Sequence, residues 1–179
     1  SVVKGASDAG IYVGQSQNII VRNSRAEMNV AGIEIENSYD ADVVGNTATN
    51  NAGGILVFDL PNLPVMGGGN VVIAGNQVVD NDTPNFAPKG NIVAGVPRGT
   101  GMMVMANEGV VIERNKVIDN PTAAVMVVAY PNAFSDTKYN PLPRRVFLGT
   151  NDLLRGGNDP QLPGGDQLKA AFGGALPPV

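Results

Sequence analysis

Glu34 and Glu36 are the residues whose type and spacing could most directly do chemistry. They lie two apart in Gly32-Ile33-Glu34-Ile35-Glu36, where apolar residues alternate as in a strand. Both carboxyls therefore share a face, roughly 6.5–7 Å apart. Such a pair could be the acid and base flanking a sugar, or, with Asp59 or Asp8, a set of oxygen ligands for calcium. Tyr12 would add a phenol to the same face, and Arg98, in Val-Pro-Arg-Gly-Thr-Gly, the one cation close to it in sequence. The plainer expectation is two solvated acids on an exposed strand face.

Composition narrows the chemistry further. The 179 residues include no His, no Cys and no Trp. Any base must then be Glu, Asp, Tyr, Lys or Arg, and disulfides, ordinary zinc sites and Cys–His or Ser–His–Asp chemistry are excluded. A formal charge of −4 makes a nucleic-acid groove or an anionic membrane surface a poor fit. No run of ~18 apolar residues is present to span a bilayer. Val outnumbers Leu 24 to 10, with 20 Asn and 23 Gly, a balance that favours strands and tight turns.

The elements that must position these groups come from a repeat. A strand-like motif recurs as Gly10-Ile11-Tyr12-Val13, Gly32-Ile33-Glu34-Ile35, Gly54-Ile55-Leu56-Val57, Gly101-Met102-Met103-Val104 and, degenerate, Ala123-Ala124-Val125-Met126, in steps of 22, 22, 47 and 22 residues. A second motif, apolar-x-apolar-x-x-Asn-x-apolar, keeps step as Ile19/Val21/Ser24/Ala26, Ala41/Val43/Asn46/Ala48, Val71/Ile73/Asn76/Val78 and Val110/Ile112/Asn115/Val117. A half-copy follows at Val146/Leu148/Asn151/Leu153, and a second polar column holds Asn29, Asn51, Asn81 and Asn120. The long third step contains loop insertions of eight and 17 residues, within 59–70 and 82–100.

Period-2 runs this short cannot bury a face alone, so stacked copies must share a core. A 22-residue unit of several short strands with no helix is one turn of a parallel β-helix. The asparagines would sit at corners, where they tolerate the left-handed region and bond up the column. A leucine-rich repeat shares the second motif. Against it stand the scarcity of Leu and segments such as SRAEMNVAG, which offer no convex helix.

GIYVGQSQNIIVRNS, GIEIENSYDADVVGN and GMMVMANEGVVIERN resemble the repeats of right-handed parallel β-helix proteins of the pectate-lyase-like superfamily, and more narrowly exported bacterial β-helix proteins. The resemblance covers residues 1 to about 151 and implies an all-β solenoid of five to six coils and an exported location. It implies no one activity, because this coil carries lyases, hydrolases, epimerases, tail-spikes and adhesins. The His-containing runs of epimerases and polygalacturonases are absent, as is the Arg-x-Pro-x-x-Arg run of pectate lyases.

In β-helix enzymes the site lies on the outer face of the strand that here carries GIxV. Its outward columns read Tyr12, Glu34, Leu56, Met103, Val125 and Gly14, Glu36, Phe58, Met105, Val127. No Lys or Arg stands in them to hold an anionic substrate. The apolar stretch Leu56, Phe58, Met103, Met105, Val125 and Val127 would be large if bare, so Leu60–Gly69 and Pro84–Pro97, with Phe86 and Ile92, are expected to fold over it; the alternatives are a partner or oligomer contact and a cleft for an apolar or sugar ligand.

Residues 1–153 should form the coils and 154–179 a Pro/Gly-rich tail with a short helix over 166–172, whose Leu168 and Phe172 would cover the last coil. Ser1 reads as starting in mid-coil, which suggests a truncated chain with pairing-prone ends. The functional expectation is a non-catalytic structural or carbohydrate-contacting segment, self-associating through coil ends or the apolar face and needing no cofactor. The alternative is a uronate-polymer lyase or epimerase using Glu34, Glu36, Arg98 and Tyr12.

Overall fold

Each apolar run pairs with its counterpart one repeat along, and every strand pairing is parallel. The computed structural model describes residues 1–179. Its coils turn through three sheets with the right hand that parallel crossovers take. The GIxV runs form one sheet of five strands, Ala9–Gly14, Ala31–Glu36, Gly53–Phe58, Thr100–Met105 and Ala123–Val128. The second motif supplies a five-stranded sheet, from Gln17–Arg22 to Phe147–Leu148, and a six-stranded sheet of short strands, from Val2–Lys4 to Asp152–Leu154. The chain is a right-handed parallel β-helix of five to six coils.

The inward residues of all three sheets make one buried core. Ile33, Ile55 and Met102 come from the first sheet, Val43, Ile73 and Ile112 from the second, and Ala48, Val78 and Val117 from the third. Glycine is demanded where coils approach most closely. A Cβ on Gly54 would lie 2.4 Å from the Gly101 carbonyl oxygen, and one on Gly32 2.5 Å from that of Gly54. Ala124 takes this position in the last coil, where no further strand of the sheet stacks on it.

Both asparagine columns are continuous ladders. Asn29 bonds to Asn51, Asn51 to Asn81 and Asn81 to Asn120 through side-chain amides at 2.9–3.0 Å. Asn46, Asn76, Asn115 and Asn151 form the second ladder at 3.0–3.1 Å. Asn51 shows the complete pattern. Its amide donates to Asn81 Oδ1 and to the Ala26 carbonyl, and its Oδ1 accepts from the Asn29 backbone and side chain. Ser24 ends one ladder by donating its backbone N–H to Asn46 Oδ1.

Two expectations are corrected here. The left-handed residues are not the ladder asparagines but those just before them: Asn23, Gly45, Gly75 and Arg114 on one side, Met28, Asn50, Asp80 and Asp119 on the other. The corner is thus a two-residue device, one residue turning the chain and the next bonding along the axis. The last GIxV strand is also shifted by one residue. Thr100 pairs with Ala123, Met103 with Met126 and Met105 with Val128, so the outward residues are Met126 and Val128, not Val125 and Val127. Val125 lies in the inner core. The extra residue sits in Pro121-Thr122, whose Thr122 N–H bonds to Gly99 O.

The tail begins in the last short strand and returns over the final coil. Pro178 O accepts from Val125 N–H, and Leu176 bonds to Gly157. A helix spans Gly165–Ala171. Its Leu168 and Phe172 stay exposed, so the cover is made by backbone pairing and not by that apolar pair.

Candidate functional site

The first two coils bring Tyr12, Glu34 and Glu36 together on the outer face of the GIxV sheet. Strand register places Tyr12 against Glu34 and Gly14 against Glu36. Gly14 leaves room for the tyrosine ring, since a Cβ there would overlap the Tyr12 hydroxyl. The phenol donates to Glu36 Oε1 at 2.9 Å. Tyr12 is 53% exposed, whereas Glu34 is 1% and Glu36 7% exposed. The expectation of two solvated acids is therefore overturned. Glu34 stacks between Tyr12 and the fully buried Leu56, almost wholly removed from water.

The electrostatics follow from that burial. Loss of water pushes the Glu34 carboxyl up to about 8, with the charges of Asp8 and Glu36 adding to the shift. Glu36 is also raised by burial and by Asp8, although the Tyr12 hydrogen bond opposes the rise. Burial, the bond to Glu36 and the surrounding carboxylates lift the Tyr12 phenol to about 12. Glu34 Oε2 has no hydrogen-bond partner. The raised value favours the protonated form of Glu34 toward neutral pH.

Arg98 does not join this cluster. Its guanidinium bonds to Asp82 and, at 2.9 Å, to Asp159. Asp59 also stands apart. Its carboxylate accepts from Asn107 Nδ2 at 2.8 Å and from the Gly68 backbone, and burial still raises it to about 7. Asp8 is the acid whose charge reaches Glu34, but no three carboxylates are spaced to hold a metal ion.

Further along the same face, the outward residues turn apolar and are covered. Leu56, Phe58, Met103 and Met105 pack with Val93 and Val96 of the second insertion, and with Leu60 and Met66 of the first. Ile92 is half-buried, while Phe86 stays largely exposed. A third cover was not expected. Tyr130, Phe134 and Tyr139 cluster edge-to-face at 5.0–6.3 Å, and the Tyr139 hydroxyl donates to the Asp59 carbonyl at 2.6 Å. Three of the chain's nine aromatics within ten residues was the signal that could have marked this segment.

A second, polar feature lies at the corner that leads from the short strands into the GIxV sheet. Asn50, Asp80, Asp119 and Arg155 hold the same left-handed position in successive coils. Their side chains line an open cleft of about 920 Å³ with Asp82 and Thr83. Arg155 clamps Asp119 through two bonds of 2.7 Å. These residues had no place among the expected site residues, because nothing in the repeat distinguishes an outward polar corner from a cleft wall.

Residues 1–65 match the family model described as right handed beta helix region. Comparison with curated proteins and with solved structures finds no match. The match and the three stacked parallel sheets together define a right-handed β-helix repeat protein. No helix of the structure is long and apolar enough to cross a membrane.

Proposed function

We propose that the chain is a non-catalytic, carbohydrate-contacting segment of an exported β-helix protein of the pectate-lyase-like type. The observation that carries this reading is the closure of the outer GIxV face. Glu34 is buried, Leu56, Phe58, Met103 and Met105 lie under the insertions, and Arg98 is engaged by two aspartates. A lyase or epimerase acting on uronates needs a cation over its substrate, and here the neighbouring titratable side chains, Asp8, Glu34 and Glu36, are all acidic. The cleft of Asn50, Asp80, Asp119 and Arg155 offers a polymer a row of fixed polar groups at the ~4.8 Å coil spacing. Its acidic balance favours uncharged sugars over uronates. Exported location rests on the resemblance of the repeats.

One observation favours a second reading. Tyr12 is half-exposed and bonded to Glu36, a contact from which an epimerase or lyase could move a proton. A turnover screen on uronate polymers, run beside affinity electrophoresis in neutral polysaccharide gels, separates the two. The expected result is retarded migration without turnover, with retardation reduced in Asp80→Ala. Turnover that disappears in both Tyr12→Phe and Glu36→Gln would replace the proposal with the enzymatic reading.

A further inference from the structure

We propose that the pocket on the outer face, between the second insertion and the last GIxV strand, binds a small uncharged apolar molecule built from a hydrocarbon chain or fused rings. The cavity has a volume of about 370 Å³, within the ~300–1,000 Å³ range of small-ligand sites. Phe58, Met103 and Met105 line it from the sheet, and Val93 and Val96 from the insertion. None of its fifteen lining residues carries a charge, so an ionic ligand would lose its water without compensation. Asn132 supplies its one polar side chain. Left empty, the walls forfeit dispersion contacts. An apolar body restores them, and the thioethers of Met103, Met105 and Met126 can adapt to its shape.

The size of the occupant follows from the walls. They come from the sheet, the insertion, residues 128–132 and Leu162-Pro163. Met103 and Met105 are themselves nearly buried, so a folded partner surface cannot pack on them, and the occupant must fit the space bounded by these walls. The inference is independent of the carbohydrate reading, which concerns another face.

Gly95 provides a clean test. It lines the pocket, is exposed, and an added Cβ there meets nothing within 4 Å. Gly95→Phe should therefore be tolerated by the fold, and ring-current shifts of the Met103, Met105 and Met126 methyls in the ligand-free variant show that its ring lies in the pocket. The full chain is titrated with the neutral fluorophore N-phenyl-1-naphthylamine, and the six methionine methyls are followed by NMR. Saturable one-to-one binding is expected, with Met103, Met105 and Met126 methyls shifting while Met102 in the inner core and Met28 on the surface stay fixed. Gly95→Phe, folded with the wild-type melting temperature, should weaken binding by roughly tenfold or more. No saturable binding, or shifts that spare those three methyls, would overturn the proposal, as would undiminished binding by folded Gly95→Phe. Should that variant fail to fold, the wild-type methyl shifts decide.

Discussion

Replacing Glu34 with Gln should stabilise the protein, and only above acidic pH. The carboxyl titrates near its ordinary 4.5 when unfolded and near 8 when folded. As pH rises the unfolded chain loses this proton first, so stability is full below about 4.5 and drains as pH climbs to about 8. At 1.36 kcal/mol per pH unit, the drain is on the order of 3 kcal/mol by pH 7 and about 5 by pH 9. Gln cannot ionise and removes that loss while keeping the shape. Glu36 and Asp59 are raised too, but both proteins contain them, so the difference between the two profiles reports Glu34 together with its coupling to Glu36. Urea unfolding at intervals from pH 4 to 9 measures it. The two proteins should agree within about 1 kcal/mol at pH 4, the worth of one hydrogen-bonding group, and diverge steadily above pH 5. Parallel profiles would mean that Glu34 is solvated, and the account of the closed outer face would fail with it.

Asn51→Ala should cost roughly 3 kcal/mol or more in urea unfolding, because it strands the Asn29 amide and the Ala26 carbonyl inside the ladder. Gly54→Ala should destabilise by about 1–3 kcal/mol at least, since its Cβ would press on the backbone of Gly101 and cannot be relieved by a rotamer change. Ala124→Gly, at the uncrowded equivalent in the last coil, should lower the melting temperature only slightly.

The repeat was readable because stacking imposes the same demand on every coil. Gly10, Gly32, Gly54 and Gly101 answer a close backbone approach, and Asn29, Asn51, Asn81 and Asn120 answer one another's amides. Such demands leave a period. The register of Ala123–Val128 was misread because its two alanines fit the glycine column equally well, and only Thr122 bonding to Gly99 selects between them. The left-handed residues escaped notice because Asn, Asp, Gly, Arg and Met all serve there, which leaves no single letter to find. Tyr139 reaches Asp59 across 80 positions, a contact that no local spacing encodes.

The misjudged exposure of Glu34 has a single physical cause. Along the outer face the column runs Tyr12, Glu34, Leu56, Met103, Met126. Its polarity changes between the second and third coils, and the covering segments bury the third and fourth. A residue at that boundary belongs to the polar half by type and to the buried half by position. Its carboxyl loses water without gaining a partner, since the nearest phenol is held by Glu36 and the nearest charges are acidic. Catalytic sites raise a carboxyl in the same way but leave a path for substrate. Here a raised acid without such a path marks the edge of a cover, so the perturbed group alone is not evidence of catalysis.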